Sequence, residues 1–557
     1  MFRRFTFIFL CLFFASALFS QDNKHWVQFR DKGNNPYSLS NPSAYLSPRA
    51  LARRTTQGIA IDSLDLPVTP AYIAGVAATG ATVHSVSKWL NGVIVFTNDT
   101  NVLNAIAALP YVVSVNNAGM RVANPDTVNK FSEETYSPLQ QQTGRSGYVT
   151  SSGLNYGPSY NQISMLGGVC LHNAGYRGQG MQIAIIDAGF YHANVLPVFD
   201  TLFMNNRILG TWDFVAGDSS VYEDNQHGMM VLSTMGGNDP GNLVGTAPDA
   251  SYWLLRSEEA ATEYIVEEYY WASAAEYADS VGADVINSSL GYTEFDDPSE
   301  NHTYADMNGH TTPCARAANI AARKGMALVI AAGNSGQSPW FYISTPGDAD
   351  SVLTVAALDA SGNVAGFSSR GPASDGDVKP CTGAQGVNAV IASPTGGTQT
   401  GNGTSFATPI TCGLVACLWQ AHPSMTNMQL IQYIEMSASQ YSNPDSLMGY
   451  GIPDFCAANL ALSPNPVYDQ ANDYLYNVVP NPFVNQLDFS FYSMTDQDIQ
   501  VNLYDVQGRQ MIDQLVFAAK KAENHYTLTE LEAAGPGVYF LVVKGNEGTY
   551  YSRIVKM

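Results

Sequence analysis

Gly403-Thr404-Ser405-Phe406-Ala407-Thr408-Pro409 sets a serine among small residues, directly before an apolar run from Ile410 to Trp419. A hydroxyl at the start of a helix lies beside backbone N–H groups that can hold an anion. A serine placed there can attack a carbonyl, and the oxyanion it creates falls near those donors. The same segment suits an ordinary helix cap, a position serine and threonine favour, so the chemical reading needs partners. Gln182-Ile183-Ala184-Ile185-Ile186-Asp187 is an apolar run ending in a carboxylate. It reads as a parallel strand covered on both faces, with its acid at the end where catalytic groups collect. His227 opens a second apolar stretch, through Leu232. A serine nucleophile needs a base, and the base needs a carboxylate to hold its tautomer. Asp187, His227 and Ser405 can fill those roles, in that chain order.

On these residues the chain resembles the subtilisin-like serine proteases, and further segments agree. Gly245-Thr246-Ala247-Pro248-Asp249-Ala250 matches the stretch after the histidine helix. Ile286-Asn287-Ser288-Ser289-Leu290-Gly291 resembles the substrate-pairing strand, and Ala331-Ala332-Gly333-Asn334-Ser335-Gly336 the strand end that carries an oxyanion-hole asparagine. Phe367-Ser368-Ser369-Arg370-Gly371-Pro372 also fits. Several such segments in family order, over about 220 residues, are specific where any one would be weak. The resemblance implies Asp187, His227 and Ser405 as catalytic residues, with Asn334 in the oxyanion hole. It implies Ser289, Leu290, Gly291, Ala331, Ala332 and Gly333 as substrate-binding residues. Trp340, Phe341 and Tyr342 are candidates for the pocket wall, with core packing as the competing role. Two departures stand out: Ala188 and Met229 occupy positions where the family usually has a hydroxyl. The chemistry needs no cofactor. Many members bind calcium, but no EF-hand spacing occurs and no ligands are assigned.

The elements that must position these groups divide the chain of 557 residues into five parts. Residues 1–20 read as a signal peptide: Arg3 and Arg4, an apolar run from Phe5 to Phe14, then small residues. That run is too short to cross a bilayer, which weighs against an anchor. Residues 21–120 alternate strand and helix, with strands at Trp26–Phe29, Val93–Phe96 and Val112–Val115 and helices at Ala71–Thr79 and Val102–Leu109. This ferredoxin-like content resembles the family's propeptide, a folding aid and inhibitor; a permanent accessory domain is the alternative. Residues 121–153, with Gln140, Gln141 and Gln142, have linker composition. Residues 154–463 are the peptidase region, an α/β fold whose parallel sheet has helices on both faces. Its strands are expected at Ile183–Ile186, Val285–Ser289, Ala327–Ala331 and Val352–Ala356, with a helix over Tyr269–Asp279. The acidic cluster Glu258, Glu259, Glu263, Glu267 and Glu268 is expected on a solvated face.

Residues 464–557 alternate strands and turns as a small β-sandwich does. Val479-Pro480-Asn481-Pro482-Phe483, Leu503 to Arg509 and Gly537 to Phe540 resemble the C-terminal sorting domain of type IX secretion cargo in Bacteroidetes. A carbohydrate- or protein-binding β-module is the alternative.

The formal net charge of -22 argues against nucleic-acid partners, whose phosphates need lysine and arginine. With Cys11 in the signal region, Cys170, Cys314, Cys381, Cys412, Cys417 and Cys456 remain. Their pairing is open, and Cys412 and Cys417 read as core thiols. The expected protein is a secreted or cell-surface serine endopeptidase, made as a propeptide-bearing precursor. It would act through an acyl-enzyme intermediate, with peptides, its own propeptide and the type IX machinery as partners. A surface-exposed peptide-binding pseudoprotease is the alternative from the binding class. An α/β-hydrolase esterase needs Gly-x-Ser-x-Gly and a different triad order.

Overall fold

The computed structural model describes residues 23–120, 130–131, 134–139, 153–462, 473–505, 509–520, 522–529, 531–546 and 548–556. The expected signal peptide, most of the expected linker and part of the Leu503–Arg509 motif lie outside the described residues. Two compact units divide at Cys456.

In the first unit, β1 (Asn23–Phe29), β2 (Thr82–Ser87), β3 (Gly92–Phe96) and β4 (Val112–Met120) form an antiparallel sheet in the order β2-β3-β1-β4. Helices α1 (Pro48–Gln57), α2 (Pro70–Ala77) and α3 (Thr100–Ala107) accompany it. Short strand β5 (Thr135–Pro138) follows in sequence. The peptidase region carries β6 (Gln182–Asp187), β7 (Ile208–Asp213), β8 (Ser251–Arg256), β9 (Val285–Ser288), β10 (Ala327–Ala331), β11 (Leu353–Leu358) and β12 (Thr382–Gln385). They form one sheet in the order β12-β11-β10-β9-β6-β8-β7, with every pairing parallel. A further pair, β13 (Ala389–Ala392) and β14 (Thr398–Asn402), extends to β5.

Side chains alternate across a strand, so β6 needs apolar partners on both faces. Ala184 and Ile186 belong to a core shared with α5 (Val266–Val281) and α6 (Pro313–Arg323), while Ile183 and Ile185 are buried toward the other face. Helices α4 (His227–Gly236) and α7 (Thr404–Ala421) also belong to the peptidase region. Every residue of α7 from Thr404 to Trp419 is buried, as an all-round apolar helix requires. Gly413 permits its approach to the Gly245-Thr246 segment: a Cβ there would lie 2.0 Å from Thr246 Oγ1. Cys170 and Cys456 form a disulfide, and the other four cysteines in the described residues are buried thiols.

The N-terminal sheet lies against α5. Trp26, Trp89, Leu90 and Ile94 share a core with Tyr270, Trp271 and Ala274, and the Trp26 ring stacks on Tyr269 at 4.2 Å. Buried charge adds specificity to this apolar contact. Asp279 of α5 meets Arg53 at 2.5 Å, Arg54 at 2.9 Å and Lys88 at 3.4 Å. Arg54 also pairs with Asp65 at 2.6 Å, and Lys324 with Asp65 at 2.8 Å. Glu276 accepts from the Ser87 hydroxyl and from the Lys88 and Trp89 backbone N–H groups.

The second unit holds β15 (Tyr474–Val479), β16 (Leu487–Ser493), β17 (Gln497–Asp505), β18 (Gln510–Ala518), β19 (Ala522–Leu528), β20 (Gly537–Lys544) and β21 (Thr549–Lys556). They make two antiparallel sheets, β15-β16-β19 and β18-β17-β20-β21. Phe489, Phe491, Ile499, Val501, Leu503, Leu541 and Val543 fill the space between them. Among the described residues no helix is long and apolar enough to cross a membrane.

Burial would raise the Asp279 carboxyl, but Lys88, Arg53 and Arg54 outweigh it and hold the group down to about 2. A depressed carboxylate stabilises the fold above its ordinary value, here 3.8, and that contribution is lost as pH falls from there to about 2. Changing Asp279 to alanine strands three cations and should cost about 3–5 kcal/mol. Urea unfolding of the precursor at pH 7, with Ser405 also changed to alanine so the chain stays whole, checks this. The difference between the two chains should shrink below pH 4.

Candidate active site

Asp187 is the last residue of β6, which lies between β8 and β9, so its carboxyl emerges at the carboxyl edge of the sheet. His227 is the first residue of α4, with its N–H on the Asn225 side chain at 2.8 Å. The helix start and strand end nearly touch, because a Cβ on Gly228 would stand 2.9 Å from Asp187 Cβ and 2.5 Å from the Gly189 carbonyl. This approach puts His227 Nδ1 2.6 Å from Asp187 Oδ1, with both side chains fully buried. The Ala188 N–H donates to the same oxygen at 2.7 Å. Asp187 Oδ2 is buried with no hydrogen-bond partner among the described residues. Neither Ala188 nor Met229 carries a side-chain donor, so those departures from the family pattern coincide with an orphaned oxygen. Burial pushes the Asp187 carboxyl up, against the lowering effect of His227.

Ser405 is the second residue of α7 and is nearly buried. Pro409 stands four residues on and has no N–H to give the Ser405 carbonyl. That carbonyl instead accepts from the Ser289 hydroxyl at 2.9 Å, which ties the serine turn to the end of β9. Ser405 Oγ donates to the Ser289 carbonyl at 3.4 Å. Asn334 Oδ1 accepts from Thr404 N–H at 2.9 Å and from the Thr404 hydroxyl at 3.0 Å. With its oxygen so engaged, the amide nitrogen is the end left for a ligand.

These groups share a cleft of about 490 Å³ lined by Ser289, Leu290, Gly291, Ala331, Gly333, Asn334 and Ser405. Ala332, the remaining candidate, packs behind it with Ile343 and Ala373. Of the three aromatics, Trp340 lines the cleft, Phe341 is exposed, and Tyr342 stacks on Tyr304.

The cleft also receives a segment of the chain's own N-terminal part. Within the stretch expected as linker, β5 pairs antiparallel with β14, Gln399 opposite Pro138 and Asn402 opposite Thr135. Just before it, Glu134 is buried with Oε1 3.3 Å from His227 Nε2, and Tyr136 OH donates to its Oε2 at 3.0 Å. The Phe131 ring stacks on the His227 imidazole at 4.2 Å. Lys130 reaches Glu258, Glu263 and Glu267. The solvated face expected for the acidic cluster is corrected here: Glu258, Glu267 and Glu268 are buried. Tyr292 donates to Glu258, Lys130 serves Glu258 and Glu267, and His302 lies 2.5 Å from Glu268. Sequence reasoning missed Lys130, Phe131 and Glu134, since nothing local distinguishes them from a polar connector.

A parallel α/β sheet with Asp187 paired to His227 at its carboxyl edge, and a cleft lined by Ser405 and Asn334, has the outline of a subtilisin-type hydrolase. The chain belongs to the subtilase family, and that family's model matches residues 178–451. The Bacteroidota peptidase S8 propeptide domain matches residues 24–135, and the secretion system C-terminal sorting domain matches residues 477–557. The chain is 30% identical over 297 residues to M-protease of Shouchella clausii, covering 53% of this chain and 68% of that one. It is also 30% identical to subtilisin BL of Lederbergia lenta, over 53% of this chain and 97% of that one. Among solved structures, MycP1 with its N-terminal propeptide removed aligns with a TM-score of 0.44 at 25% identity, covering 55% of this chain and 98% of that one. The protein is thus a serine endopeptidase of the subtilase family with a propeptide domain, and its type IX sorting domain marks it for export.

Burial disfavours a charged His227, but Asp187 and Glu134 overcome it and push the imidazole up to about 10. A raised histidine stabilises the folded state below its ordinary value, here 6.5, and that contribution is lost as pH rises through about 10. Glu134→Gln removes one of the two carboxylates and should lower the His227 midpoint by roughly one pH unit or more. Proton NMR of the Nδ1–H resonance in Ser405→Ala precursors reads this directly. An unchanged midpoint would mean that Glu134 contributes no charge to the pair.

Proposed function

We propose that Ser405 is the nucleophile of an Asp187-His227-Ser405 triad that cleaves peptide bonds through an acyl-enzyme. The buried contact of 2.6 Å between His227 Nδ1 and Asp187 Oδ1 carries this reading, because it holds Nε2 toward the cleft that Ser405 lines. Ser405 Oγ attacks the scissile carbonyl while His227 Nε2 takes its proton. His227 then returns that proton to the leaving amine, and water reverses the sequence to free the acid. Asp187 fixes the tautomer and stabilises the imidazolium. The Asn334 amide and the Ser405 backbone N–H donate to the oxyanion. Substrate adds as an extended strand beside Ser289-Leu290-Gly291, with Ala331, Ala332 and Gly333 supporting the opposite wall.

In the precursor the chain restrains itself. Glu134 lies on the nitrogen that must accept the serine proton, and Phe131 covers the ring. The N-terminal domain acts as inhibitor until the segment is cut and leaves, and the sorting domain passes the protein to the type IX machinery. Residues 21–120 are the propeptide body, 154–463 the peptidase and 464–557 the exported tail, with processing between the first two. Protein or peptide substrates are the partners outside the chain.

Expressed beside wild type, Ser405→Ala should stay full length and leave casein intact, whereas wild type loses its propeptide. Asn334→Ala should lower kcat by about 10²–10³-fold with little change in KM, the usual cost of one such donor in a subtilisin. Processing by Ser405→Ala in the absence of other proteases would refute the assignment.

A further inference from the structure

The segment that fills the cleft carries a cation into it. The Lys130 N–H donates to the Ala260 carbonyl at 3.0 Å, so this residue pairs with the loop that follows β8. Its ammonium lies among the Oε2 atoms of Glu258, Glu263 at 3.1 Å and Glu267 at 3.0 Å. Two of those acids, Glu258 and Glu267, are also held by the peptidase region. Glu258 Oε1 accepts from the Tyr292 hydroxyl and from Ser257 Oγ. Glu267 accepts the Glu259 N–H at 2.7 Å and the Tyr264 N–H at 3.3 Å. When the segment leaves, these bonds remain, and three carboxylate oxygens within 4.8 Å of one another lose the ammonium that meets them among the described residues. Such a group demands a counter-charge, since unpaired buried carboxylates repel and are poorly solvated. Glu263 Oε1 is buried with no partner among the described residues, so the site has accepting capacity that Lys130 leaves unused. Glu258 and Glu263 line the same cleft as Ser405 and Asn334.

We propose that Glu258, Glu263 and Glu267 form a substrate subsite for a lysine side chain, at the residue immediately preceding the one that covers His227. The proposal rests on the endopeptidase reading and adds a substrate class to it. Register comes from the segment itself, where Phe131 covers the imidazole and Lys130 precedes it. An ammonium has three N–H donors and meets three carboxylates, one each. The planar fork of arginine matches two oxygens of a single carboxylate and suits this tripod less well. A neutral side chain leaves the three acids without a counter-charge.

The test uses mature wild-type enzyme and internally quenched peptides in which one position at a time, N-terminal to the cut, holds lysine, arginine, norleucine or glutamate. At one fixed position lysine should exceed norleucine by at least about tenfold in kcat/KM, with arginine between them and glutamate poorest. Glu263→Gln and Glu267→Gln should each shrink the lysine-to-norleucine ratio, mainly through KM. Glu263 is the most exposed of the three, so its variant is the one less prone to misfold. Equal cleavage of lysine and norleucine peptides at every position overturns the proposal while leaving the endopeptidase reading intact. A lysine preference that persists in both variants also overturns it. Calcium binding by the mature enzyme that vanishes in Glu263→Gln, without any lysine preference, makes the trio a metal site instead. Absence of all cleavage, casein included, overturns the endopeptidase reading and this proposal with it.

Discussion

The short contact between Asp187 and His227 is the constraint around which the peptidase region is built. A fully buried carboxylate is tolerated only where something compensates its lost hydration. Here the compensation is a ring nitrogen at 2.6 Å and one backbone N–H at 2.7 Å. Bringing them together requires a parallel strand buried on both faces, ending where α4 begins. It also requires a glycine after the histidine, because a Cβ there would strike the Gly189 carbonyl and crowd Asp187. Ser405 then reaches the same edge from α7, whose proline leaves the serine carbonyl free to bind Ser289. Asp187 Oδ2 has no partner among the described residues, so within them the carboxylate is held from one side.

The precursor answers the problem of buried charge twice more, and both answers join the N-terminal part to the peptidase. At α5, Asp279 is matched by cations from α1 and from the turn before β3. In the cleft, Glu134 is matched to His227 and Lys130 to three acids. Breaking one member of a buried pair is costly because the other is stranded. On the proposed reading, departure of the N-terminal part changes the charge state of the cleft as well as opening it. It removes Glu134 from Nε2 of His227 and leaves the acidic wall without the Lys130 ammonium that partly offsets it.

Much of this was legible in the sequence. Apolar runs located four of the seven strands of the large sheet to within a residue or two, because two-sided burial leaves an uninterrupted pattern; β7, β8 and β12 were not anticipated. Resemblance to the subtilisin-like proteases singled out Asp187, His227, Asn334 and Ser405; the structure pairs Asp187 with His227 and sets Asn334 and Ser405 along one cleft. Local pattern failed where the partner lay far away in sequence. α1 drew no expectation from its sequence, yet its Arg53 and Arg54 are buried against an aspartate more than two hundred residues on. β2 is half polar, since its serines and histidine face α5 and neighbouring loops. The acids near α5 look like a surface cluster until Lys130, Tyr292 and His302 are placed beside them. Glu267 and Glu268 also sit in the first turn of that helix, where its dipole favours negative charge.

The central claim is that Ser405 is the nucleophile and that the chain's own segment holds it in check. Labelling with a fluorophosphonate, mapped by mass spectrometry as precursor converts to mature protein, tests both halves at once. The account predicts a single labelled residue, Ser405, with modification slow in the intact precursor and rapid once the segment is gone. Labelling at another serine, or equal rates before and after conversion, would contradict it.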